Sequence, residues 1–248
     1  MPADPNVNYA FYRSVVTSVP GWLHQGAAIR TMDMLDFQES CGVKGSLLEI
    51  GVWCGRYLSM LVRSATRTGS RVVGVDLFTE PTRPEVQKTV QPWVAGSNAI
   101  VILLQCHSIE LDAADLLQHL GEKARFISID GSHERDDVYL DLCLAEQLIA
   151  PAGIVAVDDF INPLTFGVNE ATHLFFSRPR RLVPWAYIEN KLFLCQPPWA
   201  HRYRDMLEAI ATRDEIEAHS KRFQKYMGNA RNLVEQPLWG SPVLLLTP

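Results

Sequence analysis

The sequence predicts an α/β fold, a largely parallel sheet with helices covering both faces. Three observations predict it. Short apolar runs alternate with segments of helical period up to residue 159. A turn bracketed by glycines joins the first apolar run to the helix that follows it. The second, fourth and fifth runs each end in aspartate, at Asp76, Asp130 and Asp158.

The elements follow in order. Residues 9–40 read as helical, with breaks at Pro20–Gly21 and near Gly42. In "GSLLEIGVWCG", Leu47, Leu48 and Ile50 form a short buried strand, and Gly51 and Gly55 bracket a turn. "RYLSMLVRSATRTG" puts Leu58, Leu61, Val62 and Ala65 on one helical face and stops at Gly69. "RVVGVDLF" is a second strand, and an irregular stretch with Pro81, Pro84 and Pro92 follows. "AIVILLQ" is a third strand, "SIELDAADLLQHLG" a short helix and "ARFISID" a fourth strand. "ERDDVYLDLCLAEQLI" is a helix with Val138, Leu142, Ala145 and Ile149 on one face, and Pro151 and Gly153 turn the chain into a fifth strand, "IVAVDD".

Beyond this, residues 168–177 read as a helix, "AYIENKLFLCQ" as a strand, 199–229 as mostly helical and "SPVLLLT" as a final strand. The two late strands would finish the sheet as a hairpin-like pair. No linker rich in Gly, Ser or Pro divides the chain. The expected organisation is a helical cap or lid over 1–42 and a core over 43–248, with a helical insertion around 199–229.

Hydrophobic residues are 47% of the chain and charged residues 21%, an ordinary globular balance. Lys plus Arg number 23 against 28 Asp plus Glu, for a net charge of −5, which argues against a dedicated nucleic-acid binder. The longest run free of strongly polar residues, Leu148 to Val157, contains Pro151 and is too short to span a bilayer. The start of the chain has no basic flank leading into an apolar run, so no secretory signal is expected. Cys41, Cys54, Cys106, Cys143 and Cys195 are widely spaced and odd in number. They read as free thiols in a reducing compartment, hence a cytoplasmic protein.

Chemistry gathers at the strand ends. Gly51 lets the backbone turn close to a ligand, and Gly55 allows close approach at the helix start. Trp53 stands between them and crowds the place of a dinucleotide pyrophosphate. The turn better suits a smaller, charge-poor nucleoside with a carboxylate tail that meets helix-terminal N–H groups. A plain tight connection would look the same. Asp76, 27 positions after Glu49, ends the second strand, where an acid can accept hydrogen bonds from both ribose hydroxyls. If the fourth and fifth strands are neighbours, Asp130, Asp158 and Asp159 converge and repel unless a cation neutralises them. Oxygen ligands alone suit Mg²⁺, Ca²⁺ or Mn²⁺. His133, three residues past Asp130, is poised to take a proton from a hydroxyl; a capping, solvated or metal-ligating histidine is the alternative.

This arrangement resembles the class I S-adenosylmethionine-dependent methyltransferases. "LLEIGVWCG" is similar to their first glycine motif and "VVGVDLF" to the strand ending in the ribose-binding acid. "FISIDGSHERDDVYLDLCLAEQLIAPAGIVAVDD" resembles the later half of the metal-dependent small-molecule O-methyltransferases of the macrolide-sugar and catechol type. The resemblance implies a Rossmann-like, seven-stranded mixed sheet of order 3-2-1-4-5-7-6. It implies S-adenosylmethionine as cofactor, with Glu49, Gly51, Gly55, Asp76, Ser108 and Asp130 around it. It implies Mg²⁺ or Mn²⁺ on Asp130, Asp158 and Asp159, with His133 as the base. Ser132 stands where other antibiotic-sugar members place an aspartate base, so that version does not carry over. Trp53, Cys54 and His107 depart from the residues usual at their positions.

The implied reaction is in-line methyl transfer to a hydroxyl of a small molecule, such as a sugar diol or a catechol, with no nucleic acid and no membrane as partner. A homo-oligomer is compatible with the sequence. Tyr9, Phe11, Tyr12, Trp22 and Phe166 are candidates to line the acceptor pocket, against a reading as core packing. Competing readings are a non-catalytic nucleoside-binding or assembly protein, a cephalosporin-hydroxylase-like relative, a nicotinamide-dependent oxidoreductase and a metal-independent methyltransferase.

Overall fold

The computed structural model describes residues 5–248, so the first four residues of the expected cap lie outside the described residues. The centre of the fold is β1 (Ser46–Ile50), buried along its whole length. It pairs in parallel with β2 (Arg71–Asp76) on one side and β4 (Ala124–Ile129) on the other. β3 (Ile100–Gln105) lies beyond β2, and β5 (Ile149–Val157) lies beyond β4, all parallel. Strands covered on both faces can be apolar on both, which is why these runs do not alternate.

The far side of the sheet differs from the sequence expectation. "AYIENKLFLCQ" is not one strand but spans the end of β6 (Val183–Ile188) and all of β7 (Lys191–Cys195), an antiparallel hairpin turning at Glu189–Asn190. β7 pairs antiparallel with β5. β9 (Ser241–Leu246), expected to complete that hairpin, instead adds parallel to β6, and β8 (Glu235–Leu238) closes the edge. Among the described residues the sheet has nine strands rather than seven, in the order 3-2-1-4-5-7-6-9-8. Its first seven positions keep the expected order.

Helices α1 (Pro5–Ser14), α2 (Gln25–Ser40), α3 (Leu58–Thr68), α8 (Pro197–Ala211) and α9 (Ala218–Tyr226) contribute to one core, around Ile29, Met32, Leu61, Trp185, Tyr203 and Phe223. Helices α5 (Ala113–Leu120), α6 (Arg135–Leu148) and α7 (Phe166–Phe176) contribute to the other, around Ile127, Leu142, Val155 and Phe175. The proline stretch is corrected too, because Arg83–Val94 is a helix, α4. Thr82 and Glu85 form a capping box, Pro84 sits in the first turn where an N–H is not needed, and Pro92 falls near the end. The segment 199–229 is two helices, α8 and α9, with a break between them. Among the described residues, no helix is long and apolar enough to cross a membrane.

Candidate active site

The pleat of the sheet assembles the site. In β4 and β5, Ile129 pairs with Val157, so Asp130 and Asp158 stand side by side one residue later. Val157 also pairs with Leu192 across the antiparallel β5–β7 ladder, which sets Asp158 opposite Lys191. Side chains alternate between faces with period two. Glu49, Asp130, Asp158 and Lys191 therefore all fall on the face that carries α2 and α3. Strand-end hydrogen bonds fix the arrangement: Asp130 N–H donates to Ile50 O at 2.8 Å and Asp158 N–H to Ile129 O at 3.0 Å. Gly51 has φ +85°, and a Cβ there would lie 1.9 Å from the Asp130 carbonyl oxygen. Only glycine permits this approach.

Lys191 is the group that sequence reasoning missed. Its Nζ lies 2.5 Å from Asp158 Oδ2, with the side chains 1% and 8% exposed. The ammonium also sits 4.7 Å from the centre of the Tyr57 ring, a cation–π contact. Tyr57 is held in turn by Thr31, 3.0 Å between the hydroxyls. Burial opposes the charge on Lys191, yet Asp158 and Asp130 hold its pKa above the ordinary lysine value. Asp130 is pushed well above the usual carboxylate range by burial and by Asp158. Glu49 is pushed well above it by burial, and its Oε2 is buried with no partner.

Asp158 is thus bound to a cation of the protein itself. Its Oδ1 also accepts from Asn190 Nδ2 at 2.8 Å and from Asp159 N–H at 2.9 Å. Asp130, Asp158 and Asp159 line one cavity, with Asp158 turned to Lys191. Among the described residues at this edge, Asp130, His133 and Asp159 have ligand atoms within 4.8 Å of one another.

His133 and Asp159 form a dyad, with Nε2 3.2 Å from Oδ2. The hydrogen bond to Asp159 raises the pKa of His133, and the same bond lowers that of Asp159 to about 2. Asp159 is further held by Asn162 Nδ2 at 2.8 Å and Asn190 Nδ2 at 3.2 Å. The loop bearing His133 abuts the start of α7, where a Cβ on Gly167 would meet the His133 carbonyl at 2.1 Å.

A cavity of about 800 Å³ opens at these strand ends. Glu49, Gly51, Asp130, His133, Asp158 and Asp159 line it, together with Trp22 and Trp53. The two indoles stack with centroids 5.0 Å apart. Gly55, Asp76 and Ser108 lie outside this lining. Gly55 opens the turn beyond it, at φ +88°. Asp76 braces the glycine turn: Oδ2 accepts from the backbone N–H groups of Val52 and Trp53, both at 2.8 Å, and Oδ1 from Phe78 N–H at 2.7 Å. Ser108 is buried beside Asp141, whose carboxyl burial pushes up to about 6. Of the five aromatic candidates only Trp22 lines the cavity. Tyr9 is core, with its hydroxyl donating to Asp214 at 3.2 Å, while Phe11 and Tyr12 pack against that core and Phe166 is 68% exposed.

Residues 48–160, from the middle of β1 to just past Asp159, match a family model described as a methyltransferase domain. Over that segment the chain is similar to a methyltransferase domain, on a sheet whose first seven strands keep the class I order. Solved structures share its fold. CalS11, a calicheamicin methyltransferase, aligns with a TM-score of 0.53 at 17% identity, over 66% of this chain and 77% of that one. TomG from Streptomyces achromogenes, an O-methyltransferase of tomaymycin synthesis, aligns at 0.50 and 13%, over 76% and 94%. The O-methyltransferase NovP aligns at 0.50 and 15%, over 68% and 81%. No curated protein matches the chain in sequence. Lys191 and Asn190 lie beyond the matched methyltransferase segment. A lone lysine opening the apolar run "KLFLC" was the only sequence signal for the first of them.

Proposed function

We propose that this methyltransferase moves a methyl group from S-adenosylmethionine to a hydroxyl of a small molecule bearing a vicinal diol, with His133 as general base. The observation that carries the reading is the His133–Asp159 dyad at a cavity wall shared with Asp130. Asp159 can only accept, so His133 Nε2 carries the proton between them and Nδ1 holds the free lone pair. Nδ1 takes the hydroxyl proton of the acceptor, and Asp159 steadies the imidazolium that forms. The stacked Trp22 and Trp53 stand in the cavity wall.

S-adenosylmethionine supplies, when bound, an electrophilic methyl on a sulfonium that departs as a neutral thioether. The unpartnered Glu49 oxygen suits the ammonium end of that cofactor, beside Gly51 and Asp130. Gly55 and Ser108 flank the nucleoside side. Asp76 already accepts three backbone bonds, and a carboxylate offers about four acceptor sites, so it keeps room for one ribose hydroxyl rather than two.

A divalent cation, Mg²⁺ or Mn²⁺, fits Asp130 and Asp159, while Asp158 is committed to Lys191. The buried Oδ1 of Asn190 has no partner and suits the same hard cation. Bound there, the cation would lower the pKa of the acceptor hydroxyl. Residues 1–42 act as the cap of the acceptor side over the 43–248 core, a role supported by Gly21, Trp22, Leu23 and His24 in the cavity wall.

The test is calorimetric titration with S-adenosylhomocysteine, followed by methyl transfer to 4-ethylcatechol and to methyl glucoside. Binding followed by O-methylation of either diol is expected. No binding contradicts the methyltransferase reading, and binding without transfer to any diol favours a non-catalytic nucleoside-binding protein.

A further inference from the structure

The acid of the His133–Asp159 dyad sits on a strained turn. Asp159 has φ +57° and Ile161 φ +63°, with Phe160 between them. Left-handed backbone is costly for a residue with a Cβ, most of all a β-branched one, and persists only where the surroundings hold it. The holding groups converge on Phe160. Its N–H donates to Asn190 O at 3.0 Å, and its carbonyl accepts from the Tyr187 hydroxyl at 3.2 Å. Ile161 N–H donates to Asn169 Oδ1 at 2.8 Å. Phe160 is 2% exposed. Its ring lies in a box of His173, Tyr187 and Trp239, with centroids 6.4, 6.1 and 5.9 Å away.

Trp239 is the wall of this box that comes from outside the expected seven-stranded order. It stands in the two-residue turn of the β8–β9 hairpin, between Leu238 and Ser241, which pair with each other. Trp239 has φ +46° and Gly240 φ +79°. Both turn residues are therefore left-handed, as in the primed turn that favours Asn-Gly. A tryptophan in the first place costs backbone energy that an asparagine would not. Its side chain supplies the reason. The indole stacks on Phe176 of α7, centroids 4.2 Å apart at 15°, and meets His173 edge-on at 5.2 Å. One ring thus ties the outermost hairpin to α7 and to the residue next to Asp159.

We propose that Trp239 is a positioning residue for methyl transfer: by packing on Phe160, it holds Asp159 against His133. The proposal rests on the reading of His133 as the base. The line of contact is short. Trp239 packs on the Phe160 ring, Phe160 is the next residue after Asp159, and Asp159 Oδ2 lies 3.2 Å from His133 Nε2. Without the indole the Phe160 ring loses one wall of its box, and the left-handed turn can relax. Asp159 Oδ2 then draws away from His133 Nε2, and the imidazole is free to turn its Nδ1 lone pair away from the acceptor. A misplacement of about 1 Å at the reacting groups can cost about 10²-fold in rate.

The test compares wild type with Trp239→Leu and Trp239→Phe. Leucine keeps an apolar anchor for the hairpin but no stack, and phenylalanine keeps both. Two quantities are read: single-turnover transfer from S-adenosylmethionine to 4-ethylcatechol, and ¹⁵N NMR of the neutral histidine rings, with His133→Gln assigning the His133 signals. Trp239→Leu is expected to lower the rate at saturating substrate at least about tenfold, with S-adenosylhomocysteine affinity unchanged. The His133 signals should pass from one tautomer, protonated at Nε2, to a mixture of two. Trp239→Phe should restore both readouts. In the double variant with Phe160→Leu the losses should not add, because Trp239 acts through Phe160. A wild-type rate with an unchanged tautomer in folded Trp239→Leu, or losses that add, would overturn the proposal. Should Trp239→Leu not fold, Trp239→Met takes its place under the same criteria. A wild type that methylates no diol removes the transfer reading, while a tautomer shift in Trp239→Leu keeps Trp239 as the holder of the dyad.

Discussion

Lys191 Nζ lies 2.5 Å from Asp158 Oδ2 in a buried ion pair that the β5–β7 register enforces. The pair gives the acidic strand ends a resident positive charge, with Glu49 and Asp130 close by. Removing that charge leaves several buried carboxylates facing one another. Lys191→Met should cost about 3–5 kcal/mol of stability at pH 7, the range for breaking a buried pair. The loss should shrink as pH falls, because protonation relieves the repulsion. Urea unfolding at pH 7 and pH 5 checks both statements; a stable variant with no pH dependence contradicts them.

The dyad predicts a displaced pH profile. His133 must be neutral to act, and its bond to Asp159 raises its pKa above the ordinary value of about 6.5. The transfer rate should therefore rise with pH through a group titrating above that value. Asp159→Asn should move the inflection back down. For stability the sign is opposite: the raised His133 pKa stabilises the fold fully below the unfolded value, and that contribution fades as pH rises through the folded one. Asp159, held near 2, contributes above its unfolded pKa and loses that contribution as pH falls through about 2. Single-turnover rates across pH for the two proteins are the check.

Metal dependence should follow Asp159 rather than Asp158. Chelation with EDTA should suppress transfer and Mn²⁺ or Mg²⁺ should restore it. Asp159→Asn should weaken Mn²⁺ binding, read by electron paramagnetic resonance, by about tenfold or more. Full activity in a chelated preparation contradicts the cation.

Gly51→Ala should be among the costlier single changes. The position has φ +85°, and the added carbon would collide with the Asp130 backbone. Strain of this kind costs about 1–3 kcal/mol before the clash is counted. A lowered thermal midpoint with weakened S-adenosylhomocysteine binding is expected.

Much of the fold was legible because a parallel sheet writes itself as apolar runs with acids where they end. Glu49, Asp130, Asp158 and Asp159 all came together at one edge for that reason. The β6–β7 hairpin was missed because its turn uses Glu189 at φ +57° instead of a glycine, so no break marked the run. Helix α4 was missed because prolines at its two ends look like breakers when no capping geometry is known. Lys191 was invisible as a site residue because its partner is set by tertiary pairing between β5 and β7. The same pairing engages Asp158 with Lys191, and three backbone donors occupy part of the acceptor capacity of Asp76, neither of which a sequence shows.

Removal of the acceptor proton by His133 can be read from single-turnover transfer to a diol acceptor. Wild type and His133→Ala would be compared across pH with saturating S-adenosylmethionine and Mg²⁺. A fall of roughly 10²–10⁴-fold and loss of the pH inflection are expected, with S-adenosylhomocysteine affinity little changed. Equal rates and equal pH profiles in the two proteins would contradict it.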